Sequence, residues 1–346
     1  MRKRKQLETV LETSIASTQQ TIEQALIENL GIQLDIESSY NGLAGMNNIG
    51  IFTHKLKNHK NIFAISKLQK TAGARREYTF QCWQKNNLDN MLAAKAFLLG
   101  SFRNEHYSWV TSEALHIPKS FPDSGIRSLF DRLNVPDEKL TKLSIDGRLE
   151  SLRTALEGNT KIKSILVSLV CQLETEDAKQ FTIEFFQERK MLLECSSGLY
   201  DNINELIHMY FSHIFEDDIS FMYGLIHGDF KKQNILADKQ SNLKVIDLQY
   251  FTYGVRIWDL AFYYSKDKRE FSIIYSLLLR SFTWTKIERE TFIIFYLIAS
   301  SLHLKAKNAE DISHRKLEPA VRCFFNSLKE TDLHNKLPCS KPQGIK

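Results

Sequence analysis

Residues 225–262 form an island of strand and loop character inside a stretch that otherwise reads as helix, and this island constrains the chain most. It runs Leu225-Ile226-His227-Gly228-Asp229-Phe230-Lys231-Lys232-Gln233-Asn234-Ile235-Leu236, then Val245-Ile246-Asp247-Leu248-Gln249, then Trp258-Asp259-Leu260-Ala261-Phe262. Apolar pairs bracket the polar loop, and Leu243-Lys244-Val245-Ile246 predicts a short buried strand that delivers Asp247 at its end. A plain hairpin would also use Asp, Asn and Gly as turn formers. It would not need His227, Asp229, Asn234 and Asp247 in this order between two strand contexts. The set suits phosphoryl transfer, which needs a carboxylate to receive the proton of an attacking hydroxyl and oxygen ligands for phosphate-bound metal ions. Asp229 and Asn234 stand five positions apart, the spacing of an H-R-D-x-x-x-x-N loop.

Composition sets the limits around this island. At 346 residues and 43% hydrophobic, the chain can bury a sizeable core as one bilobal unit or two domains. Its 46 basic and 41 acidic residues leave a net charge of +5, which suits an anionic ligand but gives no case for a nucleic-acid partner. Cys82, Cys171, Cys195, Cys323 and Cys339 are scattered without metal-ligand spacing, so a reduced, cytoplasmic compartment is expected. Arg2-Lys3-Arg4-Lys5 runs into polar residues rather than an apolar core, which argues against a secretory signal; a surface-binding patch and a solvated helix start both remain open. No apolar run is long enough to span a bilayer. Oligomeric state has no signature.

Along the chain, residues 6–30 predict an amphipathic helix ended by Gly31. Strands are expected at 32–36, 49–56 and 62–68, with Asn58-His59-Lys60-Asn61 as a turn, then a helix over 74–100 and a strand over 107–112. Residues 125–220 read as mostly helical, and helices resume at 258–281, 287–306 and 316–328, before a frayed tail. The resulting domain reading is an N-terminal nucleotide-binding lobe over 1–112, a catalytic and acceptor-binding lobe over 113–330, and a tail over 331–346. A nucleotide is expected in the cleft between the lobes.

The chain resembles the aminoglycoside phosphotransferase and choline kinase group of small-molecule kinases. The resemblance rests on His227-Gly228-Asp229 with Asn234, and on Ile246-Asp247, Gly254 and Asp259-Leu260-Ala261. It implies an α+β, bilobal protein-kinase-like fold, with a small β-rich N-terminal lobe and a larger helical C-terminal lobe. It also implies ATP and Mg2+ as cofactors and a small-molecule hydroxyl as acceptor. Asp229 would then be the base, Lys231 a further catalytic group at the transferred phosphate or else a solvated loop lysine, and Asn234 and Asp247 the metal ligands. His227 would brace the loop, and Asp259 would tie it in place or cap a helix. In the N-terminal lobe, Gly42, Gly45 and Asn47 would close over the phosphates. Lys67 in Phe63-Ala64-Ile65-Ser66-Lys67 resembles a V-A-I-K lysine, with Lys55, Lys57 and Lys70 as rivals and Glu77 as its partner. Glu113 and Leu115 would lie in the hinge that reads the base through its backbone.

The departures are informative. Gly228 stands where H-R-D has arginine, Leu248-Gln249 replaces the Phe-Gly of D-F-G, and only eleven residues separate Asp247 from Asp259. That is too short for a regulated activation segment. A small-molecule kinase is therefore expected, with an amino alcohol or amino sugar as acceptor, held by an aromatic wall including Tyr263, Tyr264, Phe282, Trp284, Phe295 and Tyr296. Glu288, Glu290, Asp311 and Glu318 would supply counter-charge. The rivals are a kinase acting on a protein or glycan acceptor, for which Lys231 is the hint, and a nucleotide-binding pseudokinase module.

Overall fold

A computed structural model describes residues 15–30, 36–41, 48–57, 59–88, 91–102, 107–133 and 161–336. The described chain divides into two units, residues 1–158 with 227–252, and residues 159–226 with 253–346. Residues 227–252 of the island, with His227, Asp229, Asn234 and Asp247, therefore fall in the first unit, and Trp258-Asp259-Leu260-Ala261 falls in the second. The described elements make an α+β architecture.

The first unit is built on a five-stranded antiparallel sheet in the order β1-β2-β3-β5-β4, with β1 Ile36–Tyr40, β2 Asn48–Leu56, β3 Ile62–Lys70, β4 Ala96–Phe102 and β5 Tyr107–Glu113. Helix α1, Ile15–Leu30, lays Ile22 and Leu26 on one sheet face against Phe52, Leu68, Leu98 and Trp109. Each such side chain taken fully from water contributes about 1.5–3 kcal/mol. Helix α2, Thr71–Asn87, follows β3 directly. Strand β4 corrects the sequence reading, which continued the helix to 100. Phe97-Leu98-Leu99 suits a helix or a buried strand equally by periodicity, and pairing with β5 decides it. Gly100 is required there, because a Cβ would lie 2.1 Å from the Trp109 ring. Helix α3, Asp123–Leu133, completes the segment, while β7 Ile235–Ala237 and β8 Leu243–Val245 form a hairpin.

The same face of the sheet carries a buried polar chain. Ser38 Oγ meets His54 Nδ1 at 2.6 Å, His54 Nε2 meets Ser66 Oγ at 2.7 Å, and Ser66 Oγ meets Thr111 Oγ1 at 2.6 Å, so one hydrogen-bonded run crosses four strands. Burial lowers the His54 imidazole pKa from 6.5 to about 4. The unfolded chain then binds a proton that the folded chain refuses. Stability is full above pH 6.5 and falls as the pH drops toward 4, by about 3 kcal/mol at most. Thermal unfolding of the wild type and His54→Gln across that range should show the wild type losing more stability on acidification. Parallel curves would contradict this.

The second unit is helical. Its main elements are α4 Glu176–Gln187, α5 Leu199–Ile214, α6 Ile257–Ser265, α7 Phe271–Ser281, α8 Lys286–Ser301 and α9 Glu318–Lys336, with β6 Tyr223–Ile226 and β9 Thr252–Val255 as a two-stranded sheet. The single helices expected over 258–281 and 287–306 are thus divided or shortened. Helix α8 starts with a capping box between Thr285 and Glu288. Among the described residues, no helix is long and apolar enough to cross a membrane.

Candidate active site

The first unit brings together Lys67, Glu77, Asp229, Lys231, Asn234 and Asp247, residues up to 180 positions apart in the chain. Lys67 leaves β3 on the face opposite Ser66 and Leu68. Its Nζ donates to Glu77 Oε2 at 3.3 Å and to Asp247 Oδ1. Burial alone would lower the Lys67 pKa, but the charges of Glu77 and Asp247 outweigh it and raise the pKa. Asp247 is the mirror case. Burial pushes its carboxyl upward, yet the Lys67 charge and hydrogen bond, aided by His227 and Lys231, hold it below the usual range. Asp247 also sits in the left-handed region, at φ 64° and ψ 55°, which aspartate tolerates better than most residues.

The loop is stitched to the strand that carries Asp247. His227 Nε2–H donates to the Ile246 carbonyl at 2.7 Å, and Asp229 N–H donates to His227 Nδ1 at 3.3 Å, a pattern that assigns the proton to Nε2. Ile246 N–H donates to the Asn234 carbonyl at 2.9 Å. Gly228 turns the chain between them with φ 81°, a conformation that glycine adopts without penalty. Asn234 Nδ2 donates to the Asp229 carbonyl at 2.9 Å and to its carboxylate Oδ2 at 3.0 Å. Lys231 Nζ also donates to Oδ2. Both donors use one oxygen of Asp229, so Oδ1 faces neither.

Helix α2 is fixed to the same strand. Gln84 accepts from Ala93 N–H at 2.8 Å and donates to the Ala93 carbonyl at 3.0 Å, while Val245 N–H donates to the Leu92 carbonyl at 2.8 Å. Phe80 and Phe251 add a ring contact at 4.3 Å. Neither glutamine nor phenylalanine carried a sequence signal. Among the lysine rivals, Lys55 pairs with Glu37 of β1 at 3.1 Å. Glu113 N–H donates to the Lys95 carbonyl, and its carboxylate takes Lys244 Nζ at 2.7 Å and Lys95 N–H at 3.0 Å. Leu115 follows β5 in the connector leading to α3. Gly42, Gly45 and Asn47 lie outside the described residues, as do residues 32–35 of the strand expected over 32–36.

Residues 146–288 match the phosphotransferase enzyme family, APH. The resemblance read from the sequence stands on that match. The APH segment contains Asp229, Lys231, Asn234, Asp247 and Asp259, whereas Lys67 and Glu77 come from outside it. Among solved structures, a Ralstonia eutropha JMP134 protein assigned to the aminoglycoside phosphotransferases is 13% identical, with a TM-score of 0.53 over 90% of this chain and 98% of its own. A point mutant of aminoglycoside 2'-phosphotransferase-IIIa in its GDP complex is 13% identical, with a TM-score of 0.51 over 92% of this chain and 98% of its own. These establish the shared fold. No curated protein matches the chain in sequence.

In the second unit, Asp259 of the APH segment is buried in the first turn of α6, where Arg256 rather than Asp259 occupies the capping position. The aromatic wall expected for an acceptor is mostly core. Tyr263, Tyr264, Phe295 and Tyr296 are buried, and Phe271 packs on Tyr296 at 4.8 Å; only Phe282 and Trp284 keep part of their surface. The proposed counter-charges are also engaged. Glu288 caps α8, Asp311 pairs with Arg315 at 3.6 Å, Glu318 takes Ser196 Oγ and His314, and buried Glu290 lies 3.7 Å from Lys286.

Proposed function

We propose that the chain transfers the terminal phosphoryl group of ATP, with magnesium, to a hydroxyl group of a small metabolite. What carries the reading is the convergence of Lys67, Glu77, Asp229, Asn234 and Asp247 in one unit, with the spacing of the motif and the APH match in agreement. In the reaction, the acceptor oxygen bonds to phosphorus as the bond to the β-phosphate oxygen breaks, and the hydroxyl proton passes to Asp229. Asp229 Oδ1 is the oxygen left for that hydroxyl, because Lys231 and Asn234 hold Oδ2. The transition state is loose, so the carboxylate acts mainly by orienting the nucleophile.

The donor set suits magnesium. Asn234 commits its Nδ2 to Asp229, which directs the amide oxygen elsewhere as a hard ligand, and Asp247 adds a carboxylate. Two such ligands suffice when phosphates and water complete the shell. Magnesium bound there would neutralise phosphate charge. Lys67 would engage the phosphates while Glu77 keeps its ammonium in place. Lys67→Ala should therefore weaken ATP affinity by about tenfold or more, and Glu77→Gln should give a milder loss of the same kind. Equal affinity in Lys67→Ala and the wild type would remove Lys67 from the site.

For the acceptor, an amino alcohol or amino sugar remains the narrower expectation, though the buried aromatics no longer speak for it. A protein or glycan acceptor is favoured by one observation, the Lys231 contact with Asp229, which is a protein-kinase-like feature. The test is an ATP-consumption screen over choline, ethanolamine, amino sugars, neutral sugars and a serine-containing peptide, alongside ATP titration with and without magnesium. Consumption with a small hydroxyl compound supports the reading. Magnesium-dependent binding without turnover on any of them would favour a pseudokinase.

A further inference from the structure

Gln69 has no part in the chemistry above, yet among the described residues it is one of two side chains that hold Glu77. It lies two residues past Lys67 on β3, so both side chains leave the same face of the strand. Gln69 Nε2 donates to Glu77 Oε2 at 2.8 Å, and Lys67 Nζ donates to that same oxygen at 3.3 Å. Gln69 is 2% exposed and Glu77 5%, so this carboxylate is satisfied by the protein rather than by water. The first turn of α2 closes beside the amide, since a Cβ on Gly73 would lie 3.5 Å from Gln69 Oε1.

The two donors differ in what else they must do. Lys67 divides one positive charge between Glu77 and Asp247, and an arriving phosphate would compete for it as well. The Gln69 amide is neutral, carries no such competition, and gives Glu77 a short bond in surroundings where hydrogen bonds to a charged group are strong. Glu77 thus keeps its direction whichever way the ammonium turns.

We propose that Gln69 is a positioning residue for phosphate engagement, holding Glu77 so that Lys67 stays aimed when the nucleotide binds. This rests on the phosphotransferase reading. Gln69→Met keeps the length and bulk of the side chain and removes the donor. Calorimetric titration of the 346-residue chain and its variant with ATP and magnesium, and separately with adenosine, should show ATP affinity falling about fivefold to tenfold while adenosine affinity holds within about twofold. A merely structural role would weaken both ligands alike. Unchanged ATP affinity in Gln69→Met would overturn the proposal alone, whereas a wild type that binds neither ATP nor GTP would overturn the phosphotransferase reading and the proposal with it.

Discussion

Replacing Asp229 with alanine should lower kcat by at least about a hundredfold while nucleotide affinity stays within about twofold of wild type. The asymmetry follows from the geometry of the loop. The carboxylate is buried and held at Oδ2 by Lys231 and Asn234, so in the proposed reaction Oδ1 would serve the acceptor. Asn234, the proposed metal ligand, would stay in place, because it is also anchored to the Asp229 backbone carbonyl at 2.9 Å and receives Ile246 N–H on its own carbonyl. What disappears is orientation of the hydroxyl and acceptance of its proton. A variant that keeps more than about a tenth of wild-type kcat would show that another group orients the nucleophile. Asp229→Asn, which preserves shape, separates loss of the base from any loosening of the loop.

The second large effect belongs to Asp247. Asp247→Asn should weaken ATP affinity in the presence of magnesium by about tenfold or more and reduce turnover further, with little change when magnesium is absent. Asparagine is the appropriate probe, since it accepts the left-handed backbone at φ 64° that most side chains would strain. The native carboxyl stays ionised at neutral pH. Burial favours its neutral form, but the Lys67 charge prevails and lowers its pKa. Its contribution to stability is thus present above the unfolded carboxyl value and lost as the pH falls through the folded one. Titrating ATP against magnesium for both proteins is the check, and superimposable metal dependence would remove Asp247 from the metal site.

The grouping of these residues is legible in part because phosphoryl transfer, the proposed chemistry, calls for particular residue types at fixed spacing. Asp229, Asn234 and Asp247 have few substitutes, and the strand Leu243-Lys244-Val245 announced itself by a short apolar run ahead of an aspartate. Lys67 is legible only through its resemblance to a V-A-I-K lysine placed after the glycine loop, and Glu77 through its place at the start of the next helix; the structure joins them at 3.3 Å. The supporting residues were not legible. Gln69, Gln84 and the Ser38–His54–Ser66–Thr111 chain act only through partners brought near by folding, and a lone glutamine or histidine carries no local pattern. Strand β4 was lost for a related reason, because an apolar run of that length has no periodicity to separate strand from helix. The aromatic wall failed differently. Aromatic clusters in helices mark buried cores more often than ligand surfaces, and Tyr263, Tyr264, Phe295 and Tyr296 follow that rule.

In the proposed function, Asp229 and its neighbours move the terminal phosphoryl group of ATP onto a hydroxyl. The most direct measurement follows label from γ-labelled ATP, with magnesium, into the acceptor found by screening, using the wild type and Asp229→Ala in parallel. Mass spectrometry of the product then locates the phosphoryl group. The predicted result is one phosphoryl group on a hydroxyl oxygen of a small molecule with the wild type, and at most about a hundredth of that rate with the variant. Label released only as inorganic phosphate, or equal transfer by both proteins, would contradict the account.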